Sequence, residues 1–256
     1  MGSTGAERTE QRAERPEDRL RGKTALITGS TQGLGLAAAK QFAAAGCTIV
    51  DNGFANGRFL GADLRNPEDI EAMIQAAGPI DILINNAVVR HAAPIESFDV
   101  DRWNESLAVN LSAAFHTIRL TLPGMKARGW GRIINISSIY GQRGAANRVG
   151  YVTTKTALIG LTRAVALEVV GSGVTCNAVC PGTTETPVHD ATIAGLMKSA
   201  GLSRADAERR FLSGKQPTGK IIAADDVAAM LMFLCGPASN DINGSVLPID
   251  AGWSSS

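Results

Sequence analysis

Thr28-Gly29-Ser30-Thr31-Gln32-Gly33-Leu34-Gly35 is the stretch that decides the fold. It follows the apolar, β-branched run of residues 24–28 and opens the Ala-rich pattern of residues 36–45, so it reads as a turn joining a buried strand to a helix. Glycines let the backbone turn tightly and approach a pyrophosphate. The helix N-terminus adds free N–H groups and a partial positive charge. The spacing is Gly-x-x-x-Gly-x-Gly rather than the general Gly-x-Gly-x-x-Gly. On its own it also suits an ordinary glycine-rich turn, and its place between strand and helix is what favours a dinucleotide.

Working outward, the same alternation repeats. Aliphatic runs at 24–28, 48–50, 80–84, 132–137 and 174–179 are separated by Ala-rich amphipathic stretches. Buried runs divided by helices imply a parallel sheet covered on both faces, an α/β, doubly wound (Rossmann) architecture. A single domain over residues 20–256 is expected at this length. Residues 55–60, between a second run ending near Phe54 and a third at 61–64, are too few for the crossover of about 10–12 residues that parallel strands need. Either a helix is missing on one face or a loop crosses in its place. Residues 1–19 alternate charges with almost nothing apolar, as a solvated tail does. Residues 183–218 form a long irregular stretch around a weak helical pattern and read as an active-site lid.

Composition removes several alternatives. Lys plus Arg numbers 25 against 24 for Asp plus Glu, so no overall field is available to hold nucleic acid. Cys47, Cys176, Cys180 and Cys235 lie among apolar neighbours without metal-site spacing, which predicts reduced thiols and no metal. No apolar run reaches the roughly 18 residues of a membrane span, and no secretory stretch opens the chain. A cytoplasmic protein with a small-molecule ligand is expected.

Dinucleotide choice is normally read at the end of the second strand, here Val50-Asp51-Asn52-Gly53-Phe54. Gly53 stands where an acid usually meets the ribose, Asp51 lies two residues early, and Arg58 is a solvated arginine or a partner for a 2′-phosphate. The reading favours NAD and leaves NADP open.

Further along, Tyr151-Val152-Thr153-Thr154-Lys155 puts a phenol and an ammonium at i and i+4 on one helical face. A phenol with a pKa of about 10 becomes a usable acid/base when a nearby cation favours its phenolate. Such a pair also fits snorkelling surface residues, so context must carry the argument. The preceding strand ends Ile136-Ser137-Ser138, at the sheet edge where doubly wound folds bind ligands, and Ser138 is placed to steady a carbonyl oxygen.

Cradle, strand-end serine and Tyr-x-x-x-Lys in this order resemble the short-chain dehydrogenase/reductase family, from about Leu20 to Trp253. Asp63-Leu64, Asn85-Asn86-Ala87, Asn110 and Pro181-Gly182 agree with its further motifs. The resemblance implies that Ser138 binds the reacting oxygen, Tyr151 is the acid/base, Lys155 holds the nicotinamide ribose and lowers the tyrosine pKa, and Asn110 supports a water-mediated relay. It implies cofactor contacts from Gly29, Thr31, Gln32, Gly33, Leu34, Gly35, Phe54, Asp63, Leu64, Asn86, Ala87, Tyr151, Lys155, Pro181, Gly182 and Thr186, and it implies a homotetramer. Val88 departs from the family's glycine after Asn-Asn-Ala.

The scaffold is most similar to bacterial D-3-hydroxybutyrate dehydrogenases, but the substrate-facing positions differ. Arg90 stands for a glutamine, Tyr140 for a histidine, Arg148 for a lysine and about Thr192 for a lid glutamine. Arg90, His91, Ser138, Tyr140, Arg143, Arg148 and Tyr151 are the candidate substrate residues, the arginines suiting a carboxylate or phosphate. His91 and His189 otherwise read as polar loop residues. The implied activity is hydride transfer between NAD(P) and a small hydroxy or oxo compound, hydroxy acids among them. The alternatives are an NADPH-dependent 3-oxoacyl-thioester reductase and a catalytically silent dinucleotide sensor or scaffold.

Overall fold

Four strands are too uniformly apolar to face water on either side. β1 (Thr24–Ile27), β4 (Ile82–Asn85), β5 (Gly131–Ile136) and β6 (Val174–Pro181) are buried along almost their whole length, as strands of a doubly covered parallel sheet are. With β2 (Thr48–Asp51), β3 (Arg58–Phe59) and β7 (Val246–Ile249) they form a seven-stranded sheet, ordered β3-β2-β1-β4-β5-β6-β7. Every neighbouring pair is parallel. The structure is a computed structural model that describes residues 20–51 and 57–255. The expected tail at 1–19, together with Asn52, Gly53 and Phe54, lies outside the described residues.

Helices cover both faces. α1 (Gly33–Ala44) and α8 (Ala224–Leu234) pack Phe42, Val227 and Leu231 on one side. α2 (Pro67–Ala77), α4 (Ala113–Arg128) and α5 (Val149–Glu168) bring Ile70, Ile118, Met125 and Val165 to the other. α3 (Val100–Leu107) runs into α4 through a π-turn at Ala108–Ser112 that contains Asn110. Strand order reverses between β1 and β4, which opens a crevice at their carboxyl ends.

Three expectations need correction. The third strand is Arg58–Phe59, paired with Val50 and Asp51, and not residues 61–64. Leu60, Ala62 and Leu64 instead pack against the core beside α2. An edge strand satisfies only one ladder, so two residues suffice. β7 was not among the expected runs, because Pro248 and its partly exposed positions blur the strand signal, as edge strands allow. Finally, residues 183–218 are mostly helical: α6 (Pro187–Ala200) and α7 (Arg204–Phe211) fill the stretch. Their caps specify them more than apolar periodicity does. Thr186 and Ser203 accept from the backbone N–H groups of His189 and Asp206, while Ile193 and Ala207 are the only side chains buried in the two helices.

Candidate active site

The cradle begins with close backbone packing. Gly29 and Gly33 have φ of +68° and +54°, a region that L side chains rarely adopt. A Cβ on Gly35 would collide with the Gly29 carbonyl and lie 2.7 Å from Asn86 Nδ2. This closeness brings the α1 N-terminus against the end of β1. The first turn of α1 has no acid and its N-cap, Gln32, makes no side-chain cap, which leaves N–H groups directed at a ligand. Asn86 Nδ2 braces the turn by donating to the Thr28 and Gly29 carbonyls, 3.0 Å each. Thr28 Oγ1 accepts from the N–H groups of Asn86 and Ala87 at 2.9 and 3.0 Å.

A cavity of about 480 Å³ runs from this cradle along the carboxyl ends of the central strands. Its walls include Gly29, Thr31, Gln32, Gly33, Leu34, Gly35, Asn86, Ala87, Pro181, Gly182 and Thr186 at one end, and Ser138, Tyr151 and Lys155 at the other. Val88 lines it as well, so the valine is accommodated in the wall. Asp63 and Leu64 do not line it. The Asp63 carboxylate is held by the Arg65 guanidinium at 2.6–3.0 Å, which keeps its pKa near 2, and Leu64 packs on the core. The glycine cradle, the helix N-terminus without a side-chain cap, and a cavity that reaches from that cradle to Tyr151 and Lys155 fit a dinucleotide.

The reacting end is built on α5 and the strand end of β5. Tyr151 and Lys155 are both buried. Lys155 Nζ lies 5.8 Å from the Tyr151 ring centroid and donates to the Ile136 carbonyl at 2.6 Å. Burial, with the charge of Arg90 adding to it, pulls the lysine pKa down to about 7. Ser138 lines the cavity, and its Oγ accepts from the Tyr140 N–H at 3.2 Å, capping the 3-10 turn at Ile139–Gly141. Ser137 has a structural part that sequence reading missed: its Oγ donates to the Lys155 carbonyl at 2.7 Å and fastens α5 to the strand end.

Residues 23–196 match the family described as short chain dehydrogenase. The chain belongs to the short chain dehydrogenase family. It is 39% identical over 254 residues to a D-beta-hydroxybutyrate dehydrogenase of Cupriavidus necator, covering 91% of this chain and 98% of that protein. It is 40% identical over 253 residues to the Rhizobium meliloti protein of the same name, covering 90% and 98%. Its fold superimposes on L-sorbose reductase from Gluconobacter frateurii, solved with NADPH and L-sorbose, at a TM-score of 0.86 and 27% identity, over 94% of this chain and 99% of that one. The protein is accordingly an NAD(P)-dependent oxidoreductase acting on a CH–OH group.

Within this dehydrogenase the remaining expected residues are dispersed. Asn110 is buried and does not line the cavity. Its Oδ1 accepts from the Val89 N–H at 2.8 Å and its Nδ2 donates to the Val89 carbonyl at 3.0 Å. Arg90, the next residue, lines the cavity with its guanidinium carbon 5.6 Å from the Tyr151 centroid. His91 turns away, its Nε2 2.7 Å from Glu105 Oε2. Arg143 donates to the Trp253 carbonyl, so its guanidinium is committed to the C-terminal turn. Tyr140 stands edge-on to both Tyr151 and Trp253, at 6.4 and 5.3 Å between centroids. Arg148 precedes α5 and does not line the cavity, and exposed Thr192 donates to the Val188 carbonyl on α6.

His189, read from sequence as a polar loop residue, is instead on α6 and lines the cavity. Its Nδ1 meets the Thr184 carbonyl at 2.7 Å, and burial lowers its pKa. Nothing local in the sequence marked it, because its place in the cavity wall depends on where tertiary packing sets the first turn of α6.

Proposed function

We propose that this protein is an NAD-dependent dehydrogenase of small hydroxy acids, with Arg90 receiving the substrate carboxylate. The observation that carries the reading is Arg90 itself. It leans over Tyr151, has no carboxylate partner among the described residues, and belongs to a cavity lining without a single Asp or Glu. A guanidinium offers paired N–H donors in the geometry of a carboxylate, so an acid bound there would present its hydroxyl-bearing carbon near the phenol.

The dinucleotide, when bound, supplies the hydride acceptor or donor. The cradle from Gly29 to Gly35 and the α1 N-terminus hold its phosphates. Ser138 Oγ donates to the substrate oxygen, and Tyr151 Oη takes the hydroxyl proton in oxidation and returns it in reduction. The Lys155 ammonium stabilises the phenolate and is itself held by the Ile136 carbonyl. Asn110 fixes the backbone that carries Arg90. Neither the cradle nor residues 50–54 at the end of the second strand carry a basic side chain to receive a 2′-phosphate, which supports NAD over NADP, and NADP would require Arg58 as its partner. The four buried free cysteines suit the cytoplasm. Exposed Phe115 on α4, and Leu167 at the end of α5, support burial between copies in a homotetramer.

Steady-state assays over hydroxy acids, polyols and neutral alcohols, each with NAD and NADP, test the reading. Hydroxy acids with NAD should give the highest kcat/KM, and Arg90→Gln should lower the acid-to-alcohol ratio about tenfold or more. Equal use of neutral alcohols, an unchanged ratio in Arg90→Gln, or a preference for NADPH with 3-oxoacyl thioesters would overturn it.

A further inference from the structure

His189 lines the same cavity as Arg90, Ser138 and Tyr151, yet the hydride chemistry gives it no part. Three contacts hold it. Its backbone N–H donates to Thr186 Oγ1 at 3.3 Å in the N-cap of α6, its Nδ1 lies 2.7 Å from the Thr184 carbonyl oxygen, and its ring meets Phe211 of α7 at 5.4 Å between centroids. The Thr184 carbonyl is held in turn. Ile222 donates to the Thr183 carbonyl and accepts from the Glu185 N–H, 3.0 Å each, on either side of Thr184.

A carbonyl oxygen only accepts, so Nδ1 carries the hydrogen of that contact. Burial holds the His189 pKa below its ordinary value, and the Arg90 charge acts in the same direction, so the ring is uncharged near neutral pH. Nε2 is then an acceptor with no hydrogen of its own. It makes no hydrogen bond to any described residue and keeps contact with solvent, which leaves its lone pair open to a ligand. The charged side chains of the lining, Arg90 and Lys155, are both cations. An ammonium donor is repelled there, whereas a hydroxyl brings a hydrogen without a charge.

We infer that His189 Nε2 accepts a hydrogen bond from a second substrate hydroxyl, so that the substrate is a hydroxy acid carrying at least one hydroxyl besides the one oxidised. This rests on the hydroxy-acid reading above. It goes beyond that reading in requiring a polyhydroxy acid and in naming the residue that selects it.

Kinetics on the full-length protein with NAD decide it, comparing lactate with glycerate and 3-hydroxybutyrate with 3,4-dihydroxybutyrate. In at least one pair the dihydroxy acid should exceed its partner about fivefold or more in kcat/KM, because an analogue without the hydroxyl leaves the acceptor unpaired. His189→Leu should shrink that ratio to within about twofold of unity, and His189→Gln, which keeps an acceptor, should restore part of it. A ratio taken within one variant cancels any loss common to both substrates from a disturbed α6. Calorimetry adds a readout independent of turnover, since hydroxy acids cannot be oxidised on the NADH-loaded protein: the dihydroxy acid should bind it more tightly, and His189→Leu should remove the difference. No dihydroxy preference in either pair, or a ratio unmoved in His189→Leu, overturns the inference and leaves the hydroxy-acid reading standing. Weakened NADH binding in His189→Leu at an unchanged ratio would assign the residue to the dinucleotide and overturn it as well. Failure to turn over any hydroxy acid with either dinucleotide overturns both.

Discussion

Lys155 stands one helical turn beyond Tyr151 on α5, and its ammonium donates a 2.6 Å hydrogen bond to the Ile136 carbonyl at the end of β5. The carbonyl of the same lysine accepts from Ser137 Oγ at 2.7 Å. The residue is thus tied to one strand end through both its side chain and its backbone. Tyr151 takes its position over the sheet edge from this double attachment.

Stability should depend on pH through this lysine. Its native pKa, pulled down to about 7 by burial and then Arg90, lies below the unfolded value of about 10.4. Between those values the unfolded chain binds more protons, so stability from this group rises with pH, and its desolvation cost is fully present below about pH 7. Lys155→Met removes the dependence. Its Tm relative to wild type should move in the variant's favour as pH falls from about 10 to 7, by roughly 2–4 °C per kcal/mol. Thermal unfolding of the ligand-free proteins across that range checks it, and a constant difference would refute it.

Tyr151→Phe keeps the ring that meets Arg90 and Tyr140 and removes only the phenolic oxygen. Turnover should fall by roughly 10²–10⁴ while dinucleotide affinity stays within about twofold. Fluorescence titration and single-turnover assays separate the two effects. An unchanged rate would exclude Tyr151 as the acid/base.

Gly35→Ala tests the cradle. The added Cβ meets the Gly29 carbonyl and lies 2.8 Å from Ser30 Cα, with backbone atoms that have little room to give. A loss of about 1–3 kcal/mol in stability is expected, with dinucleotide binding weakened about tenfold or more as the α1 N-terminus is pushed off β1. Wild-type affinity in this variant would show that the contact is not needed for binding.

Asn110→Ala should act on substrate as well as on stability. Losing both hydrogen bonds to Val89 leaves a partly buried N–H and C=O unpaired, at about 1–3 kcal/mol in denaturant unfolding. Because Val89 adjoins Arg90, KM for hydroxy acids should rise along with any fall in kcat. A variant that lowers kcat alone would confine Asn110 to the chemistry.

The readable features were local ones. A glycine turn between an apolar run and a helical pattern, or a tyrosine and lysine four residues apart, is visible because strand and helix periods translate directly into which face a residue occupies. Features that rest on a partner distant in the chain were not visible. Arg143 is committed to Trp253, Asn110 grips Val89, and Ser137 fastens Lys155. Even Asp63, engaged by Arg65 two residues away, depends on a side-chain conformation that residue spacing does not specify.

By itself, then, the sequence determined the covered parallel sheet and the glycine turn between β1 and α1, together with the order in which the serine, tyrosine and lysine follow it. These follow from the alternation of buried runs and helices, and from glycines admitting an approach that a Cβ would block. Tertiary structure alone decided which cations face the ligand. Arginines of similar appearance in the chain were separated by their surroundings: Arg143 found a carbonyl, Arg204 found carboxylates, and Arg90 was left over the tyrosine ring. The physical reason is that a guanidinium's availability depends on which acceptors folding brings within hydrogen-bonding reach, and those acceptors come from distant parts of the chain.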